Sequence, residues 1–146
     1  REKASFLKEN ILPVQQSGQL KFITAPQTVL TETGMLDTAV FNENIRLRFV
    51  NGHTDMMMLP QITYKGKTIV YMADLLPSTA HIPLPYIMGY DMFPLTTLHE
   101  KKSFLKEAAD NDYILFFEHD PVNECCTLQH TEKGIRQNNL FTLSSL

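Results

Sequence analysis

Two short apolar runs, Thr68–Ala73 and Tyr113–Phe117, most constrain what this chain can fold into. Each run is nearly continuous, which is typical of a β-strand covered on both faces. A third segment, Ile45–Val50, alternates apolar residues with Arg46 and Arg48, which predicts a strand with one buried face and one wet face. These segments predict a layered protein built around a β-sheet.

The clearest helical segment lies between the two apolar runs, at Leu95–Ala109. Pro94 suits the first turn of this helix, and an apolar stripe faces the core while the charged run Glu100–Lys102 is expected to face water. A short helix is also expected at residues 3–10, ending before Pro13. Strands and helices in this order predict an α/β (α+β layered) fold, with a mixed β-sheet and outer helices.

Other segments predict further short strands. Met56–Tyr64 is rich in strand-forming residues, Lys65–Lys67 forms a tight turn after it, and Cys125–His130 is a last strand candidate. Residues 20–50 contain several strand candidates separated by Pro26, Gly34 and Asn42, whereas residues 137–146 show no clear pattern.

Composition excludes several classes of function. The chain has 146 residues, enough for one domain, with 13 Lys+Arg and 16 Asp+Glu. Its net charge of −3 gives no basic face for a nucleic acid, and no apolar run is long enough to cross a membrane. The two cysteines, Cys125 and Cys126, are adjacent and do not form a disulfide scaffold, which favours a reduced, cytoplasmic protein.

Three polar residues directly follow apolar strands: His53, Asp74 and His119. Side chains at strand ends can converge at one edge of a sheet, and two imidazoles with a carboxylate are ligands that zinc, manganese or iron accept. Each residue also has a structural explanation. His53 could cap a turn, Asp74 could form an Asx-turn or cap a helix, and His119 could be bonded to Asp120.

The motifs around these residues resemble the later half of a metallo-β-lactamase-fold hydrolase. They are Gly52-His53-Thr54, the strand that runs into Ala73-Asp74-Leu75-Leu76-Pro77, and Glu118-His119-Asp120-Pro121. In that family, a Gly-His-Thr turn supplies a histidine to the first metal, a strand-end Asp bridges both metals, and a last histidine binds the second. The spacing is most similar to the lactonase and organophosphate-hydrolase branch.

The resemblance implies a dinuclear site, with two zinc ions or alternatively manganese or iron. His53, Asp74 and His119 would be metal ligands, and Asp74 would also be catalytic as the bridging carboxylate. A metal-bound hydroxide would attack an ester, lactone, thioester or phosphoester in a small-molecule substrate. Members that hydrolyse β-lactams tend to carry Cys at the position of Asp74, which argues against that activity.

One part of the family pattern is absent. The motif His-x-His-x-Asp-His, which supplies the other ligands, does not occur among the five histidines of this chain. We therefore expect residues 1–146 to be the C-terminal portion of a single metallo-hydrolase domain of the αββα sandwich type, inactive alone. The runs Thr68–Ala73 and Tyr113–Phe117 would then be left short of cover. A missing N-terminal half or another chain would complete the site, which leaves homo-oligomerisation open. The alternative is a non-catalytic binding or structural domain that has lost its metals.

The segment that follows Asp74, residues 74–94, is long and apolar, and it would overhang such a site. His81, Tyr86 and Tyr90 are candidate substrate contacts, although packing of the loop would explain the same residues. Asp120 could orient a metal ligand or could cap the turn before Pro121.

Overall fold

The computed structural model describes residues 6–24 and 38–146, which form two α-helices and seven β-strands. The strands are β1 (Thr38–Val40), β2 (Ile45–Val50), β3 (Met57–Tyr64), β4 (Lys67–Tyr71), β5 (Ile114–Phe116), β6 (Cys125–Thr131) and β7 (Gly134–Phe141). The helices are α1 (Lys8–Gln16) and α2 (Pro94–Asp110), and short 3₁₀ turns occupy Thr79–His81 and Leu143–Ser145. The strand candidates around Pro26 and Gly34 lie outside the described residues.

All seven strands form one mixed sheet in the order β1 to β7. Neighbouring strands are antiparallel except β4 and β5, which are parallel with Val70 opposite Leu115. Helix α2 and the loop before it make the crossover that a parallel pair requires. The predicted α+β fold with a mixed sheet is therefore confirmed.

One face of the sheet packs against α2 and carries the main core. Its buried side chains include Val50, Leu59, Val70 and Leu115, and the helix contributes Phe104. On the opposite face, a smaller cluster of Ile69, Ile114 and Cys125 is covered by Phe141 and Leu146, among others. The two apolar runs are thus mostly buried, and the expectation that they would lack cover is wrong. Tyr71 and Phe116, which remain partly exposed, pack against each other with ring centroids 5.6 Å apart.

The alternation in β2 shows which residues share a face of the strand, but the face that carries Arg46 and Arg48 is not exposed along its whole length. Arg46 is exposed, whereas Arg48 is buried on the face that meets α2. Its guanidinium forms a two-pronged ion pair with Glu107, with Nη1 2.8 Å from Oε2. It also lies 5.8 Å from the ring centroids of Phe104 and Tyr113. Burial raises the pKa of Glu107, but the bonds from Arg48 outweigh it and hold that pKa below its usual range.

The helices depart from the sequence prediction at two points. Helix α1 contains Pro13 in its interior instead of ending before it. A proline φ of about −65° is itself helical, but Pro13 removes one backbone hydrogen bond and its ring crowds the carbonyl four residues earlier. Helix α2 matches its predicted span within a residue at each end, but Glu100 and Lys101 are buried, so the expected solvated face is wrong at both. No helix of residues 6–24 and 38–146 is long and apolar enough to cross a membrane.

Candidate functional site

The sheet topology brings the three sequence-predicted residues to one edge. Strand β2 is antiparallel to β3, and β3 is antiparallel to β4, so β2 runs in the same direction as β4 and β5. The carboxyl ends of these three strands therefore point the same way, and His53, Asp74 and His119 follow them. The structure brings all three together: the His53 Nε2 lies 3.4 Å from Asp74 Oδ2, and the His119 Nε2 lies 3.4 Å from Asp74 Oδ1.

The turn that carries His53 is fixed by helix α2. The Glu100 carboxylate accepts hydrogen bonds from the amides of Asn51, at 2.7 Å, and Gly52, at 3.1 Å. Burial raises the pKa of Glu100, and these two amides offset part of that rise. Gly52 packs so closely on the helix that a Cβ there would lie 2.2 Å from Thr97 Oγ1 and 2.3 Å from the Thr97 amide nitrogen. Only glycine fits at this contact.

Asp91 is a residue of the site that sequence reasoning missed. Its Oδ1 lies 2.9 Å from His53 Nδ1, and its side chain is almost fully buried. Because a carboxylate only accepts hydrogen bonds, this contact places a proton on Nδ1, and in the neutral imidazole the lone pair is then on Nε2. The other oxygen, Asp91 Oδ2, is buried and has no hydrogen-bond partner among the described residues. Asp91 lies in a loop far along the chain from His53, and no motif or periodicity identifies it.

Asp74 reaches the site from a strained turn at the end of β4. The preceding residue, Ala73, has a φ of +41°, a conformation that residues other than glycine rarely adopt. The turn is closed by a hydrogen bond from the Leu75 amide to the Met72 carbonyl, 3.1 Å long. Strain of this kind tends to occur where a side chain must be aimed. Here it accompanies a carboxylate that presents one oxygen to each imidazole.

His119 is held differently, through its backbone. Its amide donates to the Pro77 carbonyl over 3.1 Å, and its side chain is 55 % exposed. The next residue, Asp120, accepts from the Thr79 amide at 2.9 Å, the Thr79 hydroxyl at 2.7 Å and the Asn123 amide at 2.8 Å. Asp120 therefore caps the turn, and these contacts favour capping over orientation of a metal ligand. Burial raises its pKa, but the bonds from Thr79 and its neighbours outweigh it and hold that pKa well below its usual range.

Lys101 fixes the loop between Asp74 and α2. Its ammonium is fully buried and donates hydrogen bonds to the carbonyls of Pro83 (3.0 Å), Leu84 (3.2 Å) and Tyr86 (2.7 Å). Burial lowers the pKa of Lys101 to about 8, although the charge of Asp91 acts in the opposite direction. Two successive residues of α2 thus hold the two segments that meet at His53: Glu100 holds its turn, and Lys101 holds the loop that leads to Asp91.

The three candidate substrate contacts lie in this loop. His81 is half-buried with Nδ1 2.9 Å from Ser78 Oγ, and burial lowers its pKa, as does the charge of Lys101. Tyr86 and Tyr90 are 61 % and 83 % exposed, so packing of the loop, the alternative explanation of these residues, does not account for the two rings. Leu75, Leu76 and Ile82 are residues of this loop that pack into the core. No hydrogen bond in the described part of the chain joins His81, Tyr86 or Tyr90 to His53, Asp74 or His119.

The cysteines do not take part in this site. Cys125 and Cys126 are buried free thiols in β6. Burial raises the pKa of Cys125 to about 11 and that of Cys126 to about 12. Both are therefore protonated at neutral pH and lack the character of a nucleophilic thiol.

The donor set at the sheet edge fits part of a metal site. With the proton of His53 on Nδ1, its Nε2 lone pair faces a carboxylate oxygen, and two acceptors that face each other call for a proton or a cation between them. Two imidazoles and a carboxylate suit zinc. A histidine that binds zinc usually donates its other ring N–H to a second carboxylate, as His53 does to Asp91. Within residues 6–24 and 38–146, however, no group of three or more His, Cys, Asp or Glu is arranged to hold a metal ion by itself.

Comparison with solved structures gives clear likenesses in fold. The dizinc quorum-quenching lactonase AidC, in complex with an N-acylated homoserine product, has a TM-score of 0.66 at 23 % identity, over 89 % of this chain and 40 % of AidC. The hydrolase AbOPH of the β-lactamase superfamily has a TM-score of 0.71 at 16 % identity, over 92 % of this chain and 43 % of AbOPH. A probable metal-dependent hydrolase from Staphylococcus aureus has a TM-score of 0.63 at 21 % identity, over 75 % of this chain and 39 % of that protein.

These likenesses confirm the predicted resemblance in fold to metallo-β-lactamase-type hydrolases. The chain spans about two fifths of the length of these three structures. No model of a protein family matches the sequence, and no curated protein matches it either.

Proposed function

We propose that this chain contributes part of the active site of a metal-dependent hydrolase, with His53, Asp74 and His119 as ligands of a dinuclear zinc centre. The observation that carries the proposal is the shared carboxylate: each oxygen of Asp74 faces the Nε2 of a different histidine, at 3.4 Å in both cases. A carboxylate that bridges two cations presents its oxygens in this way. A capping aspartate would instead accept from backbone amides, and no amide of the described residues donates to Asp74.

The residues around the ligands support this role. Asp91 holds the proton of His53 on Nδ1, so that Nε2 stays available as a ligand. Glu100 fixes the turn that carries His53, and Asp120 fixes the one that follows His119. When bound, zinc would supply Lewis-acid activation of a water molecule and of the bond to be cleaved. The role of the side chains named above is to position the zinc ligands at the edge of the sheet.

The proposed substrate class is a small ester, lactone, thioester or phosphoester. It is supported by the likeness in fold to AidC, a lactonase, and to the hydrolase AbOPH. The rings of Tyr86 and Tyr90 are proposed substrate contacts, because they lie in the loop that leads to Asp91 and are mostly exposed. His81 is the third proposed contact.

We further propose that residues 1–146 are the C-terminal portion of a metallo-hydrolase domain, inactive alone. The described residues include the three proposed ligands but no complete metal-binding group, and the chain spans about two fifths of the length of its structural neighbours. The other ligands would come from a segment or a chain that carries the absent His-x-His-x-Asp-His motif.

A zinc titration of the 146-residue chain by calorimetry tests the proposal. We expect weak binding of at most one equivalent, lost in Asp74→Asn and in His53→Ala. His99→Ala is the matched control, since His99 is an exposed histidine on α2 and should leave binding unchanged. Tight binding of two equivalents would contradict the incomplete site, and binding that survives Asp74→Asn would contradict the assigned ligands.

A further inference from the structure

A second concave site lies away from the sheet edge, between α2, the β6–β7 hairpin and the start of the loop that Lys101 holds. It is a groove of about 520 Å³, which falls in the range of small-molecule sites. Its apolar floor and walls are formed by Ile82, Leu84, Leu105 and Ile135, of which Ile82 and Leu105 are fully buried. None of the proposed metal ligands lines it.

The rim of this groove is cationic. Lys102 and Lys106 stand four residues apart on α2, and therefore on one face of the helix, while Lys133 and Arg136 come from the hairpin opposite. The carboxylate of Asp110 is already shared between Lys106 and His130. In the described residues, no ion pair involves Lys102, Lys133 or Arg136. A rim of one sign is unexpected by chance in a chain whose net charge is −3.

The wall of the groove next to the loop is fixed before any ligand arrives. Lys101 donates to the carbonyls of Pro83, Leu84 and Tyr86, so the backbone that presents Ile82 and Leu84 is held against the helix. A preformed wall lowers the ordering cost of binding. A second cavity of similar size, about 490 Å³, lies beside Lys67 and Asp112, so its lining carries both charges and no rim of one sign. The groove thus differs in chemistry from a generic surface depression.

We propose that this groove binds a small amphipathic anion, such as a medium-chain fatty carboxylate. The aliphatic chain would lie on Ile82, Leu105 and Ile135. The carboxylate would lie at the rim, where it relieves the repulsion among Lys102, Lys133 and Arg136. A neutral molecule with the same chain would leave that repulsion in place and should bind more weakly.

Titration of the full chain with decanoate tests this inference, with decanol as the neutral analogue. We expect saturable binding of one decanoate, at least about tenfold tighter than decanol. The charge reversal Lys102→Glu with Lys133→Glu should weaken decanoate binding by about tenfold or more. The reversal Lys8→Glu with Lys67→Glu changes net charge equally at exposed lysines outside the groove, and it should leave binding unchanged.

Amide chemical shifts of the unaltered chain locate the bound molecule whether or not the variants fold. Shifts confined to α2, the β6–β7 hairpin and residues 82–85 would support the inference. Absence of saturable binding, shifts centred elsewhere, or equal binding by the two charge-reversed proteins would overturn it. Binding to anionic phospholipid vesicles without binding of free decanoate would also overturn it.

Discussion

The two histidines at the sheet edge are supported in opposite ways. The His53 side chain is 16 % exposed, its ring contacts the buried Asp91, and the buried Glu100 holds the backbone of the turn that carries it. The His119 side chain is 55 % exposed and depends on a backbone bond to Pro77. The difference shows that the His53 half of the site is fixed by buried side chains from α2 and the loop before it, while the His119 half is held by contacts with residues 77–79 at a more exposed position. Changes on the His53 side should therefore have the larger effects.

The largest expected effect comes from Gly52→Ala, because the new methyl group would collide with Thr97, including its backbone nitrogen. We expect the free energy of unfolding to fall by about 3 kcal/mol or more, measured by urea denaturation. Gly89→Ala is the matched control, since a Cβ there meets none of the described residues within 4 Å. It should change stability by less than about 0.5 kcal/mol. Equal losses in the two variants would contradict the close approach of the turn and α2.

A second test concerns Lys101, whose substitution by Met leaves buried carbonyls without a donor. We expect a loss of about 2 kcal/mol at pH 7. The pKa of Lys101 is about 8 in the folded chain, below its ordinary value of 10.5. Between pH 8 and 10.5 the unfolded chain binds more protons at Lys101 than the folded chain does. The free energy of unfolding therefore rises with pH over this range.

The stability difference between the unaltered chain and Lys101→Met should therefore widen from pH 8 to 10. The exposed neighbour gives the control, since Lys102→Met should cost little stability at pH 7. A difference for Lys101→Met that stays flat or narrows over this range would contradict the burial of a charged ammonium.

The third test weakens the support of His53 without changing a ligand. The amide of Asn can donate as well as accept a hydrogen bond, so in Asp91→Asn the proton of His53 is no longer restricted to Nδ1. Zinc affinity should fall by about tenfold, as observed when partners of ligating histidines are removed. Nitrogen-15 chemical shifts of the His53 ring should report the altered protonation. Unchanged affinity and an unchanged ring would show that Asp91 has only a packing role.

The smallest effect is expected on the other side, at Asp120. The pKa of Asp120 in the folded chain lies below its ordinary value. The hydrogen bonds of the Asp120 carboxylate therefore stabilise the fold fully at pH values above the ordinary pKa, and this stabilisation is lost as pH falls through the folded pKa. Asp120→Asn should cost about 1 kcal/mol at pH 6. The difference should shrink below about pH 4. Thermal unfolding at pH 6, 4 and 3 measures it, and a difference that grows in acid would contradict the capping role.

The sequence predicts those residues of the site that directly follow a strand. His53, Asp74 and His119 come directly after apolar or alternating segments, and three strands that run in one direction place them at one edge. Strand β7 was not predicted, because an edge strand that is mostly exposed carries no apolar pattern. Asp91 was not predicted, since it acts through a contact between distant parts of the chain.

The buried charges were predicted wrongly for one shared reason. Arg48, Glu100 and Lys101 lie on faces where sequence patterns assign polar residues to water. Each is buried because a specific partner satisfies it: Glu107 for Arg48, the amides of Asn51 and Gly52 for Glu100, and three loop carbonyls for Lys101. Such pairing depends on tertiary structure, which local periodicity does not contain.

The most direct test of the central claim is to follow the ring nitrogens of all five histidines by NMR while zinc is added to the chain. The account predicts that the Nε2 resonances of His53 and His119 shift together, and that both responses disappear in Asp74→Asn. The exposed His99 and His130 serve as internal references and should not respond. Zinc-induced shifts at His99 or His130 alone, or responses of His53 and His119 that persist in Asp74→Asn, would contradict a centre that the Asp74 carboxylate bridges.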